Sequence, residues 1–124
     1  MKMTAVQKTI LIVDDDVDLL ENTAFMIKSM GYDVFTAKDG DDGVTKYKDI
    51  KPNLTLMDVR MPKMDGYDAF FKIKQYDPDA KVILITAYNQ DEKKYLQAKS
   101  MALIGSIPKP YSFEILEELI NKHA

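Results

Sequence analysis

Hydrophobic positions along the chain fall into segments whose period alternates between strand and helix. Thr9-Ile10-Leu11-Ile12-Val13 is an unbroken apolar run, too short for a helix, as expected of a strand covered on both faces. The period then changes. From Val17 to about Met30, Leu20, Ala24 and Ile27 recur at helical spacing, with Asp16 placed to cap the first turn and Gly31 placed where the helix must stop. Tyr32 to Ala37 alternates as a second strand, and Gly40 to Lys48 predicts a short helix with Val44 and Tyr47 on one side, closed by Pro52 and Asn53.

Leu54 to Asp58 is a third strand ending in a carboxylate, followed within eight residues by the turn chemistry of Pro62 and Asp65-Gly66. A helix from about Asp65 to Tyr76 presents Ala69, Phe70 and Ile73 and ends at Asp77-Pro78-Asp79. Lys81 to Ala87 predicts a fourth buried strand. Gln90 to Met101 predicts a weakly amphipathic helix with few large apolar residues, the one that should be held least firmly. In the short strand Gly105 to Pro108, Pro108 cannot donate a ladder hydrogen bond, which places it at a sheet edge. Ser112 can cap a last helix running to about Lys122, with Phe113, Leu116 and Ile120 as its core-facing stripe. Strict alternation with connections of this length implies right-handed crossovers, and so a doubly wound α/β domain with a five-stranded parallel sheet and helices on both faces.

Composition narrows the function classes. The 124 residues fit one domain spanning 1–124, and 46% apolar with 30% charged residues is the balance of a globular chain with a core. A net charge of −3 supplies no broad basic field, so direct binding of nucleic acid or of a membrane surface is not expected. Cysteine is absent, which excludes disulfides and thiol chemistry. The first eight residues lack an apolar core of signal-peptide length, and the default location is the cytoplasm.

Candidate chemistry gathers at the strand ends. Asp14 and Asp15 follow the first strand, Asp58 ends the third, Thr86 ends the fourth and Lys109 lies just past the fifth. In a parallel sheet these ends share one edge, where open α/β sheets bind their ligands. Carboxylates ~4 Å apart repel by about 4 kcal/mol at an effective dielectric near 20, so three of them call for a cation. Oxygen donors of this kind suit Mg²⁺. Asp58 could then act as a nucleophile toward a phosphoryl group, with Lys109 and the Thr86 hydroxyl meeting its oxygens. Plainer uses exist for each: Asp14 to Asp16 as helix caps, Asp58 as a turn opener, Thr86 as a β-former and Lys109 as a solvated charge. Together those uses require four coincidences at one edge of the sheet.

At these residues the chain resembles the receiver domain of two-component response regulators. The resemblance runs from about Thr9 to Ile120. It rests on Ile-Leu-Ile-Val-Asp14-Asp15-Asp16, Met57-Asp58-Val-Arg-Met61-Pro62-Lys-Met-Asp65-Gly66, Ile85-Thr86-Ala87 and Lys109-Pro110. It implies a flavodoxin-like sheet of order 2-1-3-4-5 and an Asp58 that accepts a phosphoryl group from a histidine kinase or a histidine phosphotransfer protein. Asp15, Asp58 and the backbone carbonyl of Arg60 would hold Mg²⁺, for which Mn²⁺ can substitute, with Asp14 acting through water. Thr86 and Lys109 would contact the phosphoryl group, and the Lys109-Pro110 peptide would be cis. Such a domain catalyses only its own phosphorylation and dephosphorylation. Its output is a changed surface on the fourth helix, fifth strand and fifth helix that controls an effector.

The chain departs from the family pattern at three places. Ser106 stands where many receivers carry a switching aromatic. Arg60 and Tyr88, two residues beyond Asp58 and Thr86, are large side chains unsuited to orienting an attacking water, which predicts slow autodephosphorylation. Ala102-Leu103 replaces the usual Gly-Ala, a change expected to touch packing only. Other functions fit less well. A haloacid-dehalogenase-type phosphatase needs a second Asp at the Arg60 position, and a flavin binder would not place an Asp triplet where phosphate must sit. A degenerate receiver that serves only as an interaction module is the remaining alternative. His123, the single histidine, is read as an inert residue at a frayed C-terminus.

Overall fold

The structure, a computed structural model, describes residues 8–86 and 91–124. In chain order the elements are β1 (Thr9–Val13), α1 (Val17–Ser29), β2 (Asp33–Ala37), α2 (Gly40–Ile50), β3 (Leu54–Asp58), α3 (Gly66–Tyr76), β4 (Val82–Thr86), α4 (Glu92–Ser100), β5 (Gly105–Pro108) and α5 (Phe113–His123). The five strands form one sheet in the order β2-β1-β3-β4-β5. Every pairing is parallel, and β5 takes the edge that Pro108 required.

Side-chain alternation along each strand builds two cores, one on each face of the sheet. Ile10, Ile12, Leu54, Leu56, Ile83 and Ile85 face Leu20, Ala24 and Ile27 of α1 and Leu116 and Ile120 of α5. Leu11, Val13, Met57, Val82 and Leu84 face α2 through Val44 and Tyr47, α3 through Ala69, Phe70 and Ile73, and α4 through Ala98. Because β1, β3 and β4 are covered on both faces, their interiors are apolar apart from Thr55 of β3, which is also fully buried. Of the α4 side chains only Ala98 is buried, while Leu96 is 57% exposed, so little apolar surface holds this helix. Its firmest polar tie is Lys94, whose ammonium lies 2.9 Å from Asp65 and 3.3 Å from Asp68 on α3.

Local chemistry sets the element ends. Asp16, Asp39, Asp65, Asp91 and Ser112 are the five N-caps, each accepting a backbone N–H from its helix's first turn. Helix α2 runs two residues past its expected end at Lys48, because Lys51 takes a left-handed φ of 49° and donates its N–H to the Tyr47 carbonyl at 2.8 Å. At the other terminus α5 continues through His123, with the Ala124 N–H on the Ile120 carbonyl at 2.8 Å, so the expected fraying before His123 is corrected. Phe113 is only partly buried, and Leu119 packs on the α5 side of the core instead.

Ala102 is a second correction. It holds φ at 61°, in the region where a Cβ is crowded, so replacing the family's Gly affects the backbone and not packing alone. The expected strand end at Ala87, helix start at Gln90 and the large side chain of Tyr88 lie outside the described residues. Among the described residues no helix is long and apolar enough to cross a membrane.

Candidate functional site

β3 delivers Asp58 to the C-terminal edge of the sheet, opposite Ile85 of β4, and leaves it 3% exposed. Asp14 follows β1, donates its N–H to the Ala37 carbonyl of β2 at 3.1 Å and is equally buried, while Asp15 is exposed. One carboxylate oxygen from each of Asp14, Asp15 and Asp58 lies within 4.8 Å of the other two. The Asp triplet divides its work. Asp16 Oδ1 accepts the Leu19 N–H at 3.2 Å and caps α1, and Asp14 Oδ1 accepts the Asp16 N–H at 2.9 Å. The second oxygen of Asp14 and all of Asp15 remain for the pocket.

Lys109 completes the arrangement. Its backbone N–H donates to the Thr86 carbonyl at 2.7 Å, its bond to Pro110 is cis as expected, and its Nζ lies 3.3 Å from both Asp14 Oδ2 and Asp58 Oδ1. One ammonium therefore serves two buried carboxylates. Burial, then the charge of Asp14, pushes the Asp58 carboxyl from its ordinary 3.8 to about 6, with Lys109 opposing the rise. Burial by itself would lower Lys109, but attraction to Asp58 and Asp14 outweighs it and the ammonium is held above its ordinary value.

The peptide beyond Asp58 is packed tightly enough to dictate a residue type. Gly66, first in α3, donates its N–H to the Val59 carbonyl at 2.8 Å, and a Cβ there would fall on the Asp58 carbonyl oxygen and 2.7 Å from Val59 Cα. Only glycine fits. Asp65 accepts the Asp68 N–H at 2.9 Å, starting α3 directly behind the site.

Asp14, Asp15, Asp58 and Lys109 are thus brought together as expected. Thr86 reaches the same edge and is 7% exposed, but its hydroxyl is donated to the Ile107 carbonyl at 3.4 Å rather than to a carboxylate. Arg60 stands at the rim with its side chain in solvent. Two contacts beside the site escape sequence reasoning: the Lys94 tie to Asp65 and Asp68, and a hydrogen bond of 3.1 Å between the Thr23 and Tyr111 hydroxyls. For the second, a signal was present, since Thr23 is the one hydroxyl on the otherwise apolar stripe Leu20, Thr23, Ala24, Ile27. The Lys94 contact joins residues 29 and 26 positions apart, and helical periodicity carries no trace of it.

Three hard oxygen donors against one ammonium suit a divalent cation of the Mg²⁺ type, and burial together with the charge of Asp14 disfavours the ionised Asp58 carboxyl despite Lys109. Comparison with known proteins agrees. Residues 10–121 match the family model described as the response regulator receiver domain. The chemotaxis protein CheY of Thermotoga maritima is 35% identical over 116 residues, covering 93% of this chain and 96% of that protein. A CheY-like receiver domain from Methanospirillum hungatei superposes with a TM-score of 0.88 at 30% identity, covering 94% of this chain and 93% of the other. A chain of the CheX–CheY–BeF3–Mg²⁺ complex from Borrelia burgdorferi superposes with a TM-score of 0.82 at 28% identity, covering 94% of this chain and 90% of the other. Coverage of some relatives is partial: the chain spans 60% of the Treponema pallidum CheY and 47% of a transcriptional regulator from Cyanophora paradoxa. This chain belongs to the response regulator receiver domains, signalling modules of two-component systems that bind Mg²⁺ at an acidic pocket such as the one Asp14, Asp15 and Asp58 form here.

Proposed function

We propose that the chain is a single phosphoacceptor domain over 1–124, in which Asp58 takes a phosphoryl group from the phosphohistidine of a sensor kinase or phosphotransfer protein. The observation that carries this reading is the pairing of one ammonium, Lys109, with two buried carboxylates, Asp14 and Asp58, at 3.3 Å each beside a third carboxylate. An Asp58 carboxyl near 6 is ionised at neutral pH, yet it sits where added positive charge is favoured.

In the transfer, an Asp58 oxygen attacks phosphorus as the bond from phosphorus to the donor imidazole breaks. The imidazole leaves with the electron pair and takes up a proton, and Asp58 becomes an acyl phosphate. Lys109 moves its ammonium from the carboxylate onto a phosphoryl oxygen, so the new charge meets a cation already in place. Thr86 can exchange its long 3.4 Å bond to Ile107 for one to the phosphoryl group. Asp15, Asp58 and the Arg60 carbonyl are the proposed holders of Mg²⁺ or Mn²⁺, with Asp14 beside them. The ion, when bound, offsets the charge of the phosphoryl oxygens.

Weak apolar anchoring of α4 supports an output through α4, β5 and α5, felt by an effector domain or protein; Ser106 supplies no aromatic for the usual switch. The reading carries with it a cytoplasmic location and no direct nucleic-acid contact. Intact-protein mass after incubation with acetyl phosphate tests it. One phosphoryl adduct that requires Mg²⁺ and is lost in Asp58→Asn is expected. No adduct, together with no stabilisation by Mg²⁺ where ten times Kd should add about 1.4 kcal/mol, would leave an interaction module without phosphotransfer.

A further inference from the structure

Lys109 has a flexible four-carbon stem, and its ammonium must stay within 3.3 Å of two carboxylates at once. On one side its backbone is tied to β4 by the N–H donated to Thr86. On the other side, past Pro110, Tyr111 packs against the core beneath α1 and α5, and its hydroxyl lies 3.1 Å from Thr23 Oγ1 on α1. Helix α1 is itself tied to the pocket, because Asp14 Oδ1 accepts the Asp16 N–H at its N-cap. The contacts close a ring from Asp14 through Asp16, α1, Thr23, Tyr111 and Lys109 back to Asp14.

Thr23 is 1% exposed, so its hydroxyl is withheld from water to make this bond. Burial also raises the Tyr111 phenol, keeping it protonated at neutral pH so that either hydroxyl can donate. An apolar pair of the same shape would fill the space as well, since replacing both partners of a buried hydrogen bond is nearly neutral for stability. What an apolar pair lacks is direction.

We infer that the Thr23–Tyr111 hydrogen bond fixes the Lys109 turn against α1 and so sets the ammonium between Asp14 and Asp58, making both hydroxyls positioning groups for phosphoryl transfer. This deepens the reading of Asp58 as phosphoacceptor and rests on it for its consequence in rate, while the position of Lys109 can be measured by itself.

The experiment is competitive labelling of lysines with a trace amine reagent, read by peptide mass, in wild type, Thr23→Ser, Thr23→Val, Tyr111→Phe and the double variant Thr23→Val with Tyr111→Phe. Lys94 serves as the internal reference. The double variant should unfold in urea near the wild-type midpoint. Its Lys109 should nonetheless label about fivefold faster relative to Lys94, the factor that one net hydrogen bond represents. Adduct formation from acetyl phosphate should slow about tenfold, as small misplacements of catalytic groups do. Thr23→Ser, which keeps the hydroxyl, should behave as wild type. Wild-type labelling of Lys109 in the double variant would overturn the inference, as would a rise that Lys94 shares. If wild type itself forms no adduct, the phosphoacceptor reading fails and the labelling still decides whether the hydroxyl pair places Lys109.

Discussion

Replacing Asp58 by Asn removes a charge that the fold holds at a disadvantage, so the variant should be more stable than wild type at neutral pH without a divalent cation. The side chains are nearly the same size, and Asp58 is 3% exposed, so solvent screens little of the effect. The folded carboxyl titrates near 6 and the unfolded one near 3.8, so the folded chain binds the proton more tightly. Stability is therefore highest below the unfolded value and is lost as pH rises from about 4 to about 6, after which the deficit is constant. A rise of that size corresponds to roughly 3 kcal/mol. The attraction of Lys109 is already contained in it, and amide hydrogen bonds differ from those of a protonated carboxyl, so a gain of about 1–3 kcal/mol is expected for Asp58→Asn. Urea unfolding followed by circular dichroism in EDTA, at several values between pH 4.5 and 8, measures it. The gap between variant and wild type should open through pH 6 and then level, and Mg²⁺ should narrow it by stabilising the wild type. A variant no more stable than wild type at pH 7.5, or a gap independent of pH, would refute the account of the pocket as short of positive charge.

Four other outcomes are expected. Gly66→Ala would drive a Cβ into the Asp58 and Val59 backbone, which cannot yield as a side chain can; a loss of about 3 kcal/mol or more in urea unfolding, with adduct formation abolished, should follow. Ala102→Gly relieves a φ of 61° and should stabilise by about 0.5–1 kcal/mol, the relief exceeding the added freedom of the unfolded chain. Lys94→Gln removes a third-exposed ion pair and should cost under about 1 kcal/mol globally, while hydrogen exchange in α4 becomes faster than in α3. Arg60→Asn should shorten the lifetime of the Asp58 adduct, followed by loss of the adduct mass after the donor is removed; a longer lifetime would contradict the view that a large side chain there obstructs the attacking water.

The sequence alone determined the order and type of all ten elements, because the buried strands are short and largely apolar while the helices carry apolar stripes, with Asp16 and Ser112 legible as caps. Ile10 to Val13 and Val82 to Ile85 are covered on both faces, and that physical demand is written directly into residue type. The edge position of β5 followed from the missing N–H of Pro108, and the convergence of Asp14, Asp58 and Lys109 followed from a parallel sheet placing its strand ends on one side. Element ends such as Lys51 and the left-handed Ala102 were not legible, since a positive φ at a residue other than glycine is imposed by surrounding contacts and not by the residue itself.

Only the tertiary structure decided how the site is balanced. That one ammonium is shared by two buried carboxylates and that Thr86 turns its hydroxyl to Ile107 are matters of distance between residues far apart in the chain. The same is true of Lys94 on Asp65 and of Tyr111 on Thr23, 88 positions away. Periodicity encodes which face of an element is buried; it does not encode which side chain across the interface meets it, and electrostatics depends on that meeting to within about an ångström.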